Sequence, residues 1–190
     1  LGIRTCSRHD DRRYALRLLN TILGENMSSR LFQVVREDRG LAYSTYGYMG
    51  LDRDKGLFSS FVQTKSQSAA EAVKLIKEIM EDIAKNGVKA EELETAKKST
   101  QNSFVHRFDS ALSVILEVIS LKLVGYPDDY LEKYIPRIKR VDAAKLLQMA
   151  KRSMHPQELV ILVVGKKAEL LDQLKALGLG EVRELALPKE

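Results

Sequence analysis

Apolar residues recur along most of this chain at helical spacing, interrupted by a few stretches that read as strands. Leu1 to Cys6 reads as the last part of a strand, followed by a polar turn over Ser7 to Asp11. Asp10 or Asp11 can cap a helix whose inner face holds Ala15, Leu18, Leu19 and Ile22, stopped by Gly24-Glu25-Asn26. Ser28 opens a second short helix with Leu31, Phe32 and Val35 on one side, and Gly40 suits its left-handed end. Leu41 to Met49 and Gly56 to Thr64 predict an antiparallel strand pair turning over Asp52 to Lys55. Parity leaves the buried side of the second strand open. One face carries Leu57, Ser59, Phe61 and Gln63, the other Phe58, Ser60, Val62 and Thr64.

A helical block follows. Ser68 and Glu71 have capping-box spacing, and Ala69, Ala72, Val73, Ile76, Met80 and Ile83 then recur until Asn86-Gly87. A helix from about Ala90 to Arg107 has Leu93, Ala96, Thr100 and Phe104 on its inner stripe. The next, from Ser110 to Val124, is apolar on most sides, which predicts deep burial; Gly125 and Pro127 break it. Shorter helices are expected over Asp128 to Tyr134 and Asp142 to Arg152. Leu159 to Val164 has the β-branched character of a strand covered on at least one face. A helix near Ala168 to Leu177 and an extended piece over Val182 to Leu187 close the chain. The order β-α-α-β-β-α-α-α-α-α-β-α-β predicts one α+β domain over residues 1–190. It has two layers: a mixed, mainly antiparallel sheet with helices on one face.

Composition narrows the function classes. The 190 residues are 44% hydrophobic and 30% charged, as in an ordinary globular protein. No apolar run approaches the roughly 20 residues a spanning helix needs, so membrane insertion by that route is not expected. The polar opening LGIRTCSRHD is no secretory signal and lacks a methionine, which suggests a processed or excised fragment. Cys6 is the single cysteine, so an internal disulfide and a multi-thiolate metal site are excluded. A net charge of +5 is spread along the chain, with short clusters at Arg137-Ile138-Lys139-Arg140 and Lys166-Lys167. No nucleic-acid module accompanies it, so no nucleic-acid partner is expected.

Self-contained chemistry is hard to assemble from these residues. His9, His106 and His155 lie far apart in sequence, without the helical pairing of a zinc site. Cys6 reads as a small, partly buried thiol. The informative segment is SSRLFQVVREDRGLAYSTYG, Ser28 to Gly47. Here Arg36 falls on the last turns of a helix, Gly40 reverses the chain, and Tyr43 begins the next strand. A guanidinium and a phenol converging there would suit a peptide carbonyl, or a carbonyl becoming an oxyanion. Spacing alone favours the plainer reading, Arg36 paired with a neighbouring carboxylate and Tyr43 packed in the sheet, because arginine-rich helix ends are common.

The stretch SSRLFQVVREDRGLAYS resembles the signature of the C-terminal, non-zinc-binding half of M16 metallopeptidases. That family includes pitrilysin, insulin-degrading enzyme and the mitochondrial processing peptidase, and the likeness extends over essentially the whole chain. The resemblance implies two homologous halves enclosing a chamber. One half holds zinc through H-x-x-E-H and a downstream glutamate; the other supplies an arginine and a tyrosine, here Arg36 and Tyr43, to the substrate backbone. The helix corresponding to the zinc helix, Arg13 to Leu23, contains neither His nor Glu. The expectation is therefore a chamber-forming half with no cofactor of its own, inactive in isolation, with zinc in a partner half supplied in cis or in trans. Its substrate would be a peptide or unfolded protein. A non-catalytic structural or assembly subunit of the same family is the alternative. A dimer is left open, and the cytoplasm is the favoured compartment among the several that the family occupies. Ser28, Ser29 and Arg30 are expected to cap and pack more than to line the chamber; Phe32 and Leu41 read as core, and Tyr46 and Tyr48 as packing.

Overall fold

The computed structural model describes residues 1–155 and 158–185. Three strands form an antiparallel sheet in the order β1 (Gly2–Thr5), β3 (Gly56–Thr64), β2 (Ala42–Gly50). β1 pairs with β3 from Gly2 opposite Ser59 to Thr5 opposite Gly56. The sheet expected to be mixed is thus antiparallel throughout the described residues. Phe58 and Ser60 are buried while Leu57 and Phe61 are exposed, which resolves the parity of β3. Helices cover the Phe58 face; the Phe61 face is open.

α1 (Arg13–Asn20) follows a turn in which the Asp10 carboxylate accepts the Arg12 amide at 2.8 Å; the expected aspartate cap does not form, since the N-cap is Arg12 and makes no side-chain capping bond. Leu16, Leu18 and Leu19 are fully buried. The helix then widens into a π-helical turn, Thr21–Glu25. α2 (Ala69–Asn86) turns Val73, Ile76, Met80 and Ile83 inward and ends at Gly87, whose φ of 79° is the left-handed region that favours glycine. Its expected capping box does not form: Ser68 makes no capping bond, because a short 3₁₀ turn, Ser66–Ser68, leads into the helix instead. α3 (Ala90–Val105) buries Leu93, Ala96 and Thr100. α5 (Tyr130–Lys139) and α6 (Ala143–Ser153) complete the core with Ile138, Leu146 and Met149, and Asp142 caps α6 through the Lys145 amide at 2.7 Å. α7 (Lys167–Ala176) inserts Leu170.

Two expectations fail. α4 (Ala111–Leu123) forms, with Ser110 capping it at the Ser113 amide, yet none of its residues is buried. Ile115, Leu116 and Ile119 are exposed. An apolar perimeter predicts burial only if neighbours close on every side, and α4 leans instead on the turn His106–Phe108, tied by Arg107 to Glu117. Leu159 to Val164 runs extended but meets the sheet at one antiparallel bridge, Gly2 to Val160. Val160, Leu162 and Val164 are exposed there. The terminal piece expected over Val182 to Leu187 is neither helix nor strand as far as Leu185 and otherwise lies outside the described residues.

Candidate substrate-contact site

Arg36 and Tyr43 flank one tight reversal. Leu31–Asp38 is a π-helix rather than the α-helix its spacing suggests, with Leu31 and Val35 buried. Wide π turns occur disproportionately at functional sites because the extra residue re-aims side chains. Asn26 supplies the start: its Oδ1 accepts the Ser28 amide at 3.0 Å and the Ser28 hydroxyl at 2.7 Å. Gly40 ends the turn at φ 58°.

The strand that follows carries a bulge. Ala42 lies opposite Thr64 and Ser44 opposite Gln63, leaving Tyr43 as the extra residue. Ala42 and Thr45, three residues apart, both face inward, a spacing regular alternation cannot give. Tyr43 is thereby thrown out of the ladder to 83% exposure. Arg36 reaches toward it. The guanidinium carbon stands 5.5 Å from the Tyr43 ring centroid and 4.6 Å from that of Phe32, so the cation lies against two rings.

Arg36 does have a neighbouring carboxylate, as one of the two sequence readings expects. The nearest carboxylate in an ion pair with Arg36 is Glu37 at 3.8 Å, too long for a hydrogen bond. Tyr43 is too exposed to be sheet packing. Both donors are brought together at an open surface. The two grooves described on the molecule are lined by other residues. Phe32, read as core, is only half-buried and serves as the ring beneath Arg36.

Neighbouring residues play supporting parts. Arg30 is structural: its guanidinium bonds Glu92 at 2.7 and 2.9 Å and Asp82 at 2.7 Å. These pairs bind the start of the π-helix to α2 and α3. Burial pushes the Glu92 carboxyl up, but the Arg30 hydrogen bonds and the Lys89 amide outweigh it and hold the group below its ordinary range. Ser29 is buried, and Ser28 borders a small groove with Thr21 and Glu92. Tyr46 and Tyr48, read as packing, are exposed, with Tyr46 stacked on Phe61 at 4.9 Å between centroids. No group of three His, Cys, Asp or Glu side chains able to hold a metal exists among the described residues. The described side chains therefore offer a zinc ion no ligand set. No described helix is long and apolar enough to cross a membrane.

Helices on one face of a small antiparallel sheet define an α+β domain of two layers. Residues 1–100 match the family model described as the peptidase M16 inactive domain. The chain belongs to the M16 peptidase family, as the inactive, C-terminal domain. A Mycobacterium tuberculosis protein described as an uncharacterized zinc protease is 31% identical over 179 residues, 93% of this chain and 41% of the relative. One from Streptomyces coelicolor, described in the same words, is 40% identical over 105 residues, 55% of this chain and 23% of the relative. A Helicobacter pylori relative is described as a non-peptidase homolog, 25% identical over 146 residues, 77% of this chain and 34% of its own length. The chain thus spans less than half the length of these relatives. Among solved structures, the peptidase M16 inactive domain from Pseudomonas fluorescens superposes with a TM-score of 0.71 at 24% identity, covering 80% of this chain and 37% of that one. At that identity the superposition speaks for the fold.

Proposed function

We propose that this domain grips the backbone of a peptide or unfolded protein substrate for a zinc peptidase whose metal lies in a separate half. Arg36 and Tyr43 are the gripping groups. The observation that carries this reading is their placement: the bulge exposes Tyr43, and half-buried Arg36 reaches beside it from the π turn with no short carboxylate contact. A guanidinium held 4.6 Å from the Phe32 ring centroid and 5.5 Å from that of Tyr43 still has N–H groups to offer an incoming carbonyl. The Tyr43 hydroxyl is a second donor. Two such donors stabilise an oxygen most as it gains charge. The test is turnover by an enzyme reassembled with the zinc-bearing half, comparing Arg36→Ala and Tyr43→Phe with the parent chain. A large loss in both supports the grip; undiminished turnover removes it.

The second reading is a structural or assembly subunit. It draws on the relative described as a non-peptidase homolog and on the lack of a metal-ligand cluster among the described residues. A companion polypeptide carrying H-x-x-E-H that forms an active complex with this chain would decide against it.

A further inference from the structure

The outer face of α4 carries an ordered apolar seam. Leu112, Leu116, Ile119 and Leu123 follow one another at intervals of four, three and four residues. At 3.6 residues per turn they lie within about 60° of one another, on the side opposite Leu121, which packs against the core. They are 65%, 55%, 48% and 81% exposed. That alternation of intervals is the spacing by which one helix seats its side chains between those of another. A membrane surface would call instead for a basic polar face. Here the seam is bordered by Ser113 and Ser120 on one side and by Ile115 and Lys122 on the other, and Lys122 is the single cation of the helix.

We propose that this seam is a homodimer contact: α4 of a second copy lies against it, antiparallel, about a two-fold axis between Leu116 and Ile119. Area supports a protein partner of this size. With Ile115, the four seam residues leave on the order of 500 Å² of apolar surface, more than scattered surface hydrophobics amount to, and two copies together would cover about 1,000 Å², the threshold of a specific interface. The antiparallel register is self-complementary. Leu116 falls opposite Ile119 of the second copy and Leu112 opposite its Leu123, and the two-fold axis makes each contact twice. Charge selects the direction. A parallel pair would set Lys122 beside Lys122 and Asp109 beside Asp109, like against like. The antiparallel pair brings the Lys122 end of each helix alongside the Asp109 end of the other, and both side chains are exposed. The contact is independent of the Arg36–Tyr43 grip.

Sedimentation equilibrium should show reversible monomer–dimer exchange with a Kd in the micromolar range, weakened by about tenfold or more in Leu116→Glu and again in Ile119→Gln. In dilute, dissociated protein both variants should keep the parent's Tm, because neither side chain belongs to the core. Direction is read by oxidising mixed single variants. Leu112→Cys and Leu123→Cys should cross-link to each other and neither to itself, with the buried Cys6 common to both. A chain that stays monomeric at every concentration would overturn the proposal, as would a dimer that both seam substitutions leave intact, or ready self-cross-linking of Leu112→Cys. So would a monomeric parent that binds lipid vesicles or a zinc-bearing half and loses that binding in Leu116→Glu, since the seam would then belong to that partner.

Discussion

Gly24 and Gly47 touch backbone to backbone. A Cβ on Gly24 would sit 2.8 Å from the Gly47 Cα and closer still to its nitrogen. The first π turn is thereby pressed directly against β2, the strand that presents Tyr43. Gly24→Ala should displace one element from the other and cost about 1–3 kcal/mol, the usual range for overpacking. Thermal or urea unfolding checks this; a Tm equal to the parent's would contradict the close packing.

The Arg30 cluster should make stability depend on acid. Glu92 has a depressed folded-state pKa, so its contribution is fully present above its unfolded value and is lost as pH falls through the folded one. Glu92→Gln should lower Tm at neutral pH, and the gap to the parent should shrink as pH drops below the ordinary carboxylate range. Arg30→Ala should cost about 2 kcal/mol, reflecting charge-assisted bonds that are only partly shielded. A pH-independent gap for Glu92→Gln would contradict the assignment.

Exposed α4 gives the opposite expectation. Ile115→Gln and Leu123→Gln alter side chains 54% and 81% exposed, so each should change stability by no more than about 0.5 kcal/mol. Urea titration distinguishes this from the loss of several kcal/mol that truncating a buried aliphatic residue brings.

Much of this architecture is legible without coordinates. Ala15, Leu18 and Leu19 mark α1, Gly40 and Gly87 mark helix ends, and the pattern over Gly56–Thr64 marks β3, because local sterics and periodicity decide them. The Tyr43 bulge is only faintly written, in the odd spacing of inward Ala42 and Thr45. The π geometry of Leu31–Asp38 leaves no trace in spacing, since Leu31 and Val35 fit an α-helix equally well. Exposure of α4 is a tertiary matter: its residues specify a helix that could be buried, while the neighbours decide whether it is. Arg36 and Tyr43 are readable as candidates from the M16-like motif, but their approach at Phe32 depends on the fold.

Phe32 offers a separate check on that approach. Phe32→Leu should keep the fold yet free the Arg36 side chain, at a cost of about 0.5–1 kcal/mol from the lost cation–π contact. Slower Arg36 side-chain motion by NMR relaxation in the parent than in the variant is the expected outcome. Identical mobility would mean the ring does not hold the cation.

The most direct measurement is the turnover of Tyr43→Phe in the enzyme reassembled with its zinc-bearing half, with Tm recorded alongside. Removing one hydroxyl from a side chain 83% exposed should leave Tm unchanged while lowering kcat by about a hundredfold or more. Parent-like kcat at parent-like Tm would contradict a role for this phenol in gripping substrate.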